Sequence, residues 1–161
     1  MLKHDDLQLK IFDGFSQDEL DELKSIIEDL RFRTGETILR QNQQAVHLFI
    51  VVNGEVEIIH VPYDGPSLSI GKLSSGSVFG WSSILGRKAY TSSVIVTADC
   101  EVYRIPAYKL QRFCEHHHES GVVLLEKIAT SVAQQPAKIH DQIMQMIRYT
   151  MACREENTLE E

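Results

Sequence analysis

Apolar positions change their period twice along the chain. Leu20, Leu23, Ile26, Ile27 and Leu30 recur at helical spacing and predict a leading helix over residues 11–30. Ser16 precedes the run and Glu19 follows it by three residues, the spacing of a capping box. From residue 31 to 106 the pattern shortens to alternating or briefly apolar runs. These are Thr37-Ile38-Leu39, His47 through Val52, Glu55 through Val61, Leu68 through Leu73, Val94-Ile95-Val96 and Glu101 through Ile105. Turn residues separate them. Asn53-Gly54 predicts a tight hairpin, because both central positions of such a turn take positive φ. Tyr63-Asp64-Gly65-Pro66 predicts another turn. Many short strands at this spacing predict an antiparallel sandwich or barrel.

Beyond Pro106 the helical period returns. Tyr108 to Glu115 reads as a short helix, and Glu119 to about Arg154 as a longer one interrupted at Pro136, which cannot donate a backbone hydrogen bond. Leu125, Ala129, Val132, Pro136, Ile139, Ile143, Met146, Thr150 and Cys153 recur at alternating four- and three-residue steps, a heptad seam made imperfect by Pro136, Thr150 and Cys153. The seam predicts a dimer helix centred on Val132, Ile139, Ile143 and Met146. Its alternative is a helix face packed on the chain's own barrel. The organisation expected is one domain over 1–161: leading helix, barrel over 31–106, C-terminal helices over 107–154, and an acidic tail over 155–161.

Composition narrows the function classes. At 161 residues and 43% hydrophobic content the chain can bury a sizeable core. No apolar run approaches the roughly 18 residues of a spanning helix, and the N-terminus lacks a secretory apolar stretch. A cytoplasmic location is therefore expected. The net charge of −7 sets the chain against a basic nucleic-acid-binding footprint. Cys100, Cys114 and Cys153 are dispersed and odd in number, so neither a zinc site nor a disulfide framework is expected. His116-His117-His118 point in different directions on a helix, so no metal is assigned there. No nucleophile elbow, Walker A loop or zincin motif occurs, and the chain is not expected to be an enzyme.

Several segments together resemble the cyclic-nucleotide-binding domain family, the group that includes catabolite-activator-like regulators and protein kinase A regulatory subunits. Phe12 through Leu20 and Arg33-Thr34-Gly35-Glu36-Thr37-Ile38 are similar to its leading helix and first strand. Leu48 through Val56 is similar to its central hairpin, Leu73 to Val94 to its phosphate-binding cassette, and Cys100 through Pro106 to its last strand. The resemblance spans residues 11–134. It implies mainly β structure: an antiparallel β-roll of jelly-roll type with flanking N- and C-terminal helices, and the cassette at residues 76–94.

In that family a Gly-Glu pair opens the cassette and its Glu accepts from the ribose hydroxyl, while an Arg further on pairs with the cyclic phosphate. Here Gly80 keeps the glycine, Trp81 stands at the Glu position, and Tyr90 stands at the Arg position. Thr91, Ser92 and Ser93 keep the small polar character that follows. Trp81 has no acceptor for a hydroxyl. Losing a charged partner of a desolvated phosphate costs on the order of 2–5 kcal/mol. Tight cyclic-nucleotide binding in the usual pose is not expected.

Three readings of the cassette stay open. It is a pocket for a different small ligand, lined by Phe79, Gly80, Trp81, Ser82, Ser83, Tyr90, Thr91 and Ser92, with Arg87 and Lys88 available to an anion. It is a weak or rearranged cyclic-nucleotide site. Or it is a filled pocket in a dimerisation or interaction module. No cofactor is required by any of them. The resemblance also admits a fragment of a catabolite-activator-type regulator that lacks its DNA-binding domain, since the dozen residues from Ile143 to the tail leave no room for a helix-turn-helix. The expected function is regulatory: a small-molecule sensor that relays occupancy through its C-terminal helix to a second copy or a partner protein, binding no DNA and no membrane by itself.

Overall fold

The computed structural model describes residues 9–133. The expectations for Pro136, Ile139, Ile143, Met146, Thr150 and Cys153, and for the tail at 155–161, lie outside the described residues.

A short 3-10 turn at Lys10–Phe12 precedes helix α1, Gln17–Ile26. The capping box forms as its spacing predicts. Ser16 Oγ accepts from the Glu19 amide at 3.2 Å, and Glu19 Oε1 accepts from the Ser16 amide at 3.1 Å. The helix stops at Ile26, earlier than the apolar spacing implies. Ile27 turns extended, and Leu30 lies in strand β1, Glu28–Phe32. There Leu30 and Phe32 alternate with exposed Asp29 and Arg31, so the same leucine satisfies a period of two as well as one of four.

Five further strands follow: β2 Thr37–Leu39, β3 His47–His60, β4 Leu68–Leu73, β5 Val78–Phe79 and β6 Ser93–Pro106. They form one open antiparallel sheet in the order β1-β6-β3-β4, with β2 also on β6 and β5 on β3. Helices α2, Ala107–His116, and α3, His118–Ala133, close one side. This is the expected β-roll with flanking helices.

Asn53-Gly54 does not reverse the chain. β3 runs straight through it, paired with β6 on both sides, from Phe49↔Arg104 to Ile58↔Val94. The register slips between Val51 and Val56, so the dipeptide forms a bulge rather than a hairpin. Gly54 has φ of 91°, and a Cβ there would stand 2.4 Å from the Asp99 carbonyl oxygen. Positive φ serves a bulge as well as a turn, and the dipeptide alone does not distinguish them. The Val94–Val96 and Glu101–Ile105 runs are likewise two halves of β6. The two bent strands carry different neighbours on each half: β5 and β1 on one, β4 and β2 on the other.

Alternation along the bent strands divides the core in two. Phe49, Val51, Val56 and Ile58 of β3 point into the roll with Val94, Val96 and Val102 of β6. Leu48 and Ile50 point the other way, with Tyr103 and Ile105, onto Leu23, Leu110, Phe113, Leu124 and Ile128 of the helices. Gly121 allows α3 to approach α2 closely, since a Cβ there would lie 2.7 Å from Cys114 Cα. At the α2–α3 junction both His116 and His117 meet the Glu22 carboxylate of α1, and the His117 ring packs on Phe113 at 5.0 Å. His117 ties the helices together, while His116 reaches Glu22 from a largely exposed position. Among the described residues no group of three or more His, Cys, Asp or Glu could hold a metal ion.

Candidate ligand-binding site

The cassette begins where β5 ends. Phe79 enters the roll and stacks on Phe49, with centroids 4.9 Å apart and planes 2° from parallel. The chain then turns sharply. Gly80 has φ of 74°, and a Cβ there would meet the His47 carbonyl oxygen at 3.0 Å and Phe49 at 3.1 Å. Only glycine combines that conformation with that closeness. A single 3-10 turn, Trp81–Ser83, follows. Ser83 Oγ donates back to the Gly80 carbonyl at 2.8 Å, so this hydroxyl is used in holding the turn.

Tyr90 returns the chain into the roll and is 4% exposed. Its hydroxyl donates to the His47 carbonyl at 2.7 Å and accepts from the His47 amide at 3.1 Å. Burial pushes its pKa above the usual 10.0, against the opposing pull of the His47 and Val46 backbone groups. The residue at the position of the family's phosphate-binding Arg is thus a neutral strut that anchors the start of β3. Its backbone holds the loop before β3 as well: Tyr90 N donates to the Gln43 carbonyl and Asn42 N to the Tyr90 carbonyl. His47 carries a lowered pKa, first through burial and then through the nearby Arg104 charge.

Between the 3-10 turn and Tyr90 lies a cleft of about 50 Å³. Gly80, Trp81, Ser82, Tyr90, Thr91 and Ser92 line it from the cassette, and Leu39, Ile58, Phe79 and Val94 from the roll. Most of the residues expected from the sequence do converge here. Ser83 faces its own turn instead, and Arg87 and Lys88 are exposed and outside the lining. Leu39, Ile58 and Val94 are additional wall residues. They sit on inward positions of strands, a signal visible in the sequence only once it is known which strands meet.

None of the lining side chains is charged. Ser82, Thr91 and Ser92 are the hydroxyl-bearing residues of the lining, and the rest of the wall is apolar or aromatic. A phosphate meets no cation inside it. Trp81 has a second contact: it also packs against the core between roll and helices, together with Ile84. That core includes Val78, Leu124 and Ile128, so the cassette turn touches the layer that holds α3.

The fold agrees with comparison to known proteins. The cyclic nucleotide-binding domain family matches residues 29–117, and the chain belongs to that family. Domains of this family are regulatory. The chain is 28% identical over 134 residues to a protein of Kluyveromyces lactis named lysophospholipase NTE1, covering 80% of this chain and 9% of that protein. It is 29% identical over 132 residues to the Arabidopsis thaliana potassium channel KAT1, covering 81% of this chain and 19% of the channel. The chain therefore spans less than a fifth of either relative. Among solved structures, a cyclic nucleotide-binding protein from Geobacter metallireducens superposes with a TM-score of 0.67 at 26% identity, covering 78% of this chain and 90% of that one. No helix among the described residues is long and apolar enough to cross a membrane.

Proposed function

We propose that this chain is a non-catalytic sensor module in which the cassette cleft takes a small ligand that is not held by charge. Occupancy passes to the helices through Trp81. The observation that carries this reading is the double contact of Trp81, which lines the cleft and packs on the core between roll and helices. A ligand that favours one seating of Trp81 shifts the equilibrium between helix positions by its differential affinity for the two. Leu125 and Ala129 of the seam are exposed on α3, and Val132 is half-buried, which leaves an apolar strip for a second copy or a partner.

Trp81 is the chain's single tryptophan, so tryptophan fluorescence reports on this one side chain and its two surroundings. Titration with cAMP, cGMP, a cyclic dinucleotide and small neutral and acidic metabolites should give a saturable change for at least one neutral compound. A parallel rise in melting temperature is expected, since a ligand selective for the native state stabilises it. No spectral or thermal response across the panel overturns the reading.

A second reading has its own support. A volume of about 50 Å³ holds one or two water molecules, whereas ligand pockets run from roughly 300 Å³ upward. With Tyr90 bonded to the backbone, the cleft then serves as a filled core in an interaction module. Trp81→Glu with Tyr90→Arg separates the two. An intact cradle gains cyclic-nucleotide affinity, at the expense of the Tyr90–His47 bonds. A filled one loses stability and gains nothing.

A further inference from the structure

We propose that the face formed by the β2–β3 loop, the cassette tip and the start of α2 docks an acidic, apolar-bearing segment of a partner protein. It stands independently of what occupies the cleft. The first observation is in the charge order. The chain has 23 Asp and Glu, and none lies in residues 37–54, 65–98 or 102–114. Nothing in the strand period demands this, because exposed positions in these stretches carry Ser, Thr, Gln and cations instead.

The fold brings the three stretches together. Ala45 N donates to the Lys88 carbonyl at 2.9 Å, and Gln44 bridges Ala89. Ala107 N donates to the Val46 carbonyl at 2.9 Å. Cassette tip, loop and α2 are therefore neighbours through backbone bonds. Within the acid-free stretches, Lys72 pairs with Glu55 and Arg104 with Glu28. Arg40, Arg87, Lys88, Lys109 and Arg112 form no ion pair with a described residue.

The same face exposes apolar surface. Val46 is 41% exposed, Leu85 61% and Tyr108 58%. Lys109 and Arg112 place their cations 6.0 and 5.8 Å from the Tyr108 ring centroid. Cations beside an accessible aromatic and aliphatic side chains match a peptide that alternates carboxylates with apolar residues. A nucleic acid or an anionic membrane presents an extended sheet of negative charge, which the chain's overall net charge of −7 opposes. A short acidic segment meets only the local field.

The test uses the full chain without added ligand and three labelled probes. These are a synthetic peptide of alternating Glu and Leu, the same peptide with Lys for Glu, and a random-sequence duplex DNA. Vesicles of phosphatidylcholine and phosphatidylglycerol serve as a fourth. Binding by anisotropy or flotation should be strongest for the Glu–Leu peptide and should weaken with salt. Lys88→Glu with Arg112→Glu should lower that affinity about tenfold. Arg31→Glu with Arg33→Glu changes net charge equally on another part of the surface and should leave it within about twofold. Tyr108→Ala should reduce it severalfold, with circular dichroism unchanged. Equal binding of the Lys peptide, equal loss in both double variants, no binding of the Glu–Leu peptide, or stronger binding of DNA or vesicles each overturns the proposal.

Discussion

The two cores of this molecule use their aromatic side chains differently. Between roll and helices, Tyr103 and Phe113 are almost fully buried and meet Phe12 and His117 only in tilted contacts, with aliphatic neighbours from both layers around them. Inside the roll, Phe49 and Phe79 stack on each other, and Tyr90 uses its hydroxyl to grip the backbone of His47. The cassette contributes one aromatic to each side. Tyr90 goes inward and is fixed by two hydrogen bonds; Trp81 goes toward the helices, half-buried and bordering the cleft. Tyr90 is held as structure, whereas Trp81 borders both the cleft and the core at the helices.

Four measurements break or sharpen that contrast. Phe113→Ala removes a fully buried ring at the helix layer and should cost about 3–5 kcal/mol in urea unfolding. A much smaller loss would mean that the helices pack loosely on the roll. Tyr90→Phe keeps the ring and leaves the His47 amide and carbonyl without their partner, so about 1–3 kcal/mol is expected. Near-zero cost would show the hydroxyl to be free for a ligand. Trp81→Ala should cost about 1 kcal/mol, because the side chain is only partly buried, yet it should uncouple any ligand-dependent thermal shift. Retained ligand stabilisation in that variant would remove Trp81 from the relay.

The smallest effect is electrostatic. His117, before His116, holds the Glu22 carboxyl below its ordinary 4.5. A depressed carboxylate contributes stability that is fully present above the unfolded value and is lost as pH falls through the folded one. The acid limb should therefore begin near pH 4.5 and continue below it. Glu22→Gln should flatten part of that limb in unfolding measured from pH 6 to 3. Some slope persists, because Ser120 and Ser16 depress Glu19, and Thr34 depresses Asp99, in the same direction. An unchanged limb would mean that the α1 contact to His116 and His117 does not hold in solution.

Much of the molecule was legible from local pattern. The capping box at Ser16 and Glu19, the helix at α2 and the short β-runs depend on residues a few positions apart, where backbone preference and side-chain period act directly. The misread elements share one cause. Leu30 fits a helical and a strand period equally, and Asn53-Gly54 supplies positive φ to a bulge or a turn. Each ambiguity is resolved by a distant partner: β1 is stabilised by pairing with β6, and Gly54 is pressed against Asp99 and Cys100.

The cassette divides in the same way. The sequence by itself set the expectation that Trp81 and Tyr90 stand in place of the family's charged grips, and it determined where the chain carries no carboxylates. Only the tertiary structure decided that Tyr90 bonds to His47, that the cleft is small and uncharged, and that backbone bonds join the three acid-free stretches. Composition is a property of each position alone. The partner of a buried hydroxyl and the neighbours of a surface cation depend on strand register and on how the bent sheet returns, and these are set by the packing of the whole roll.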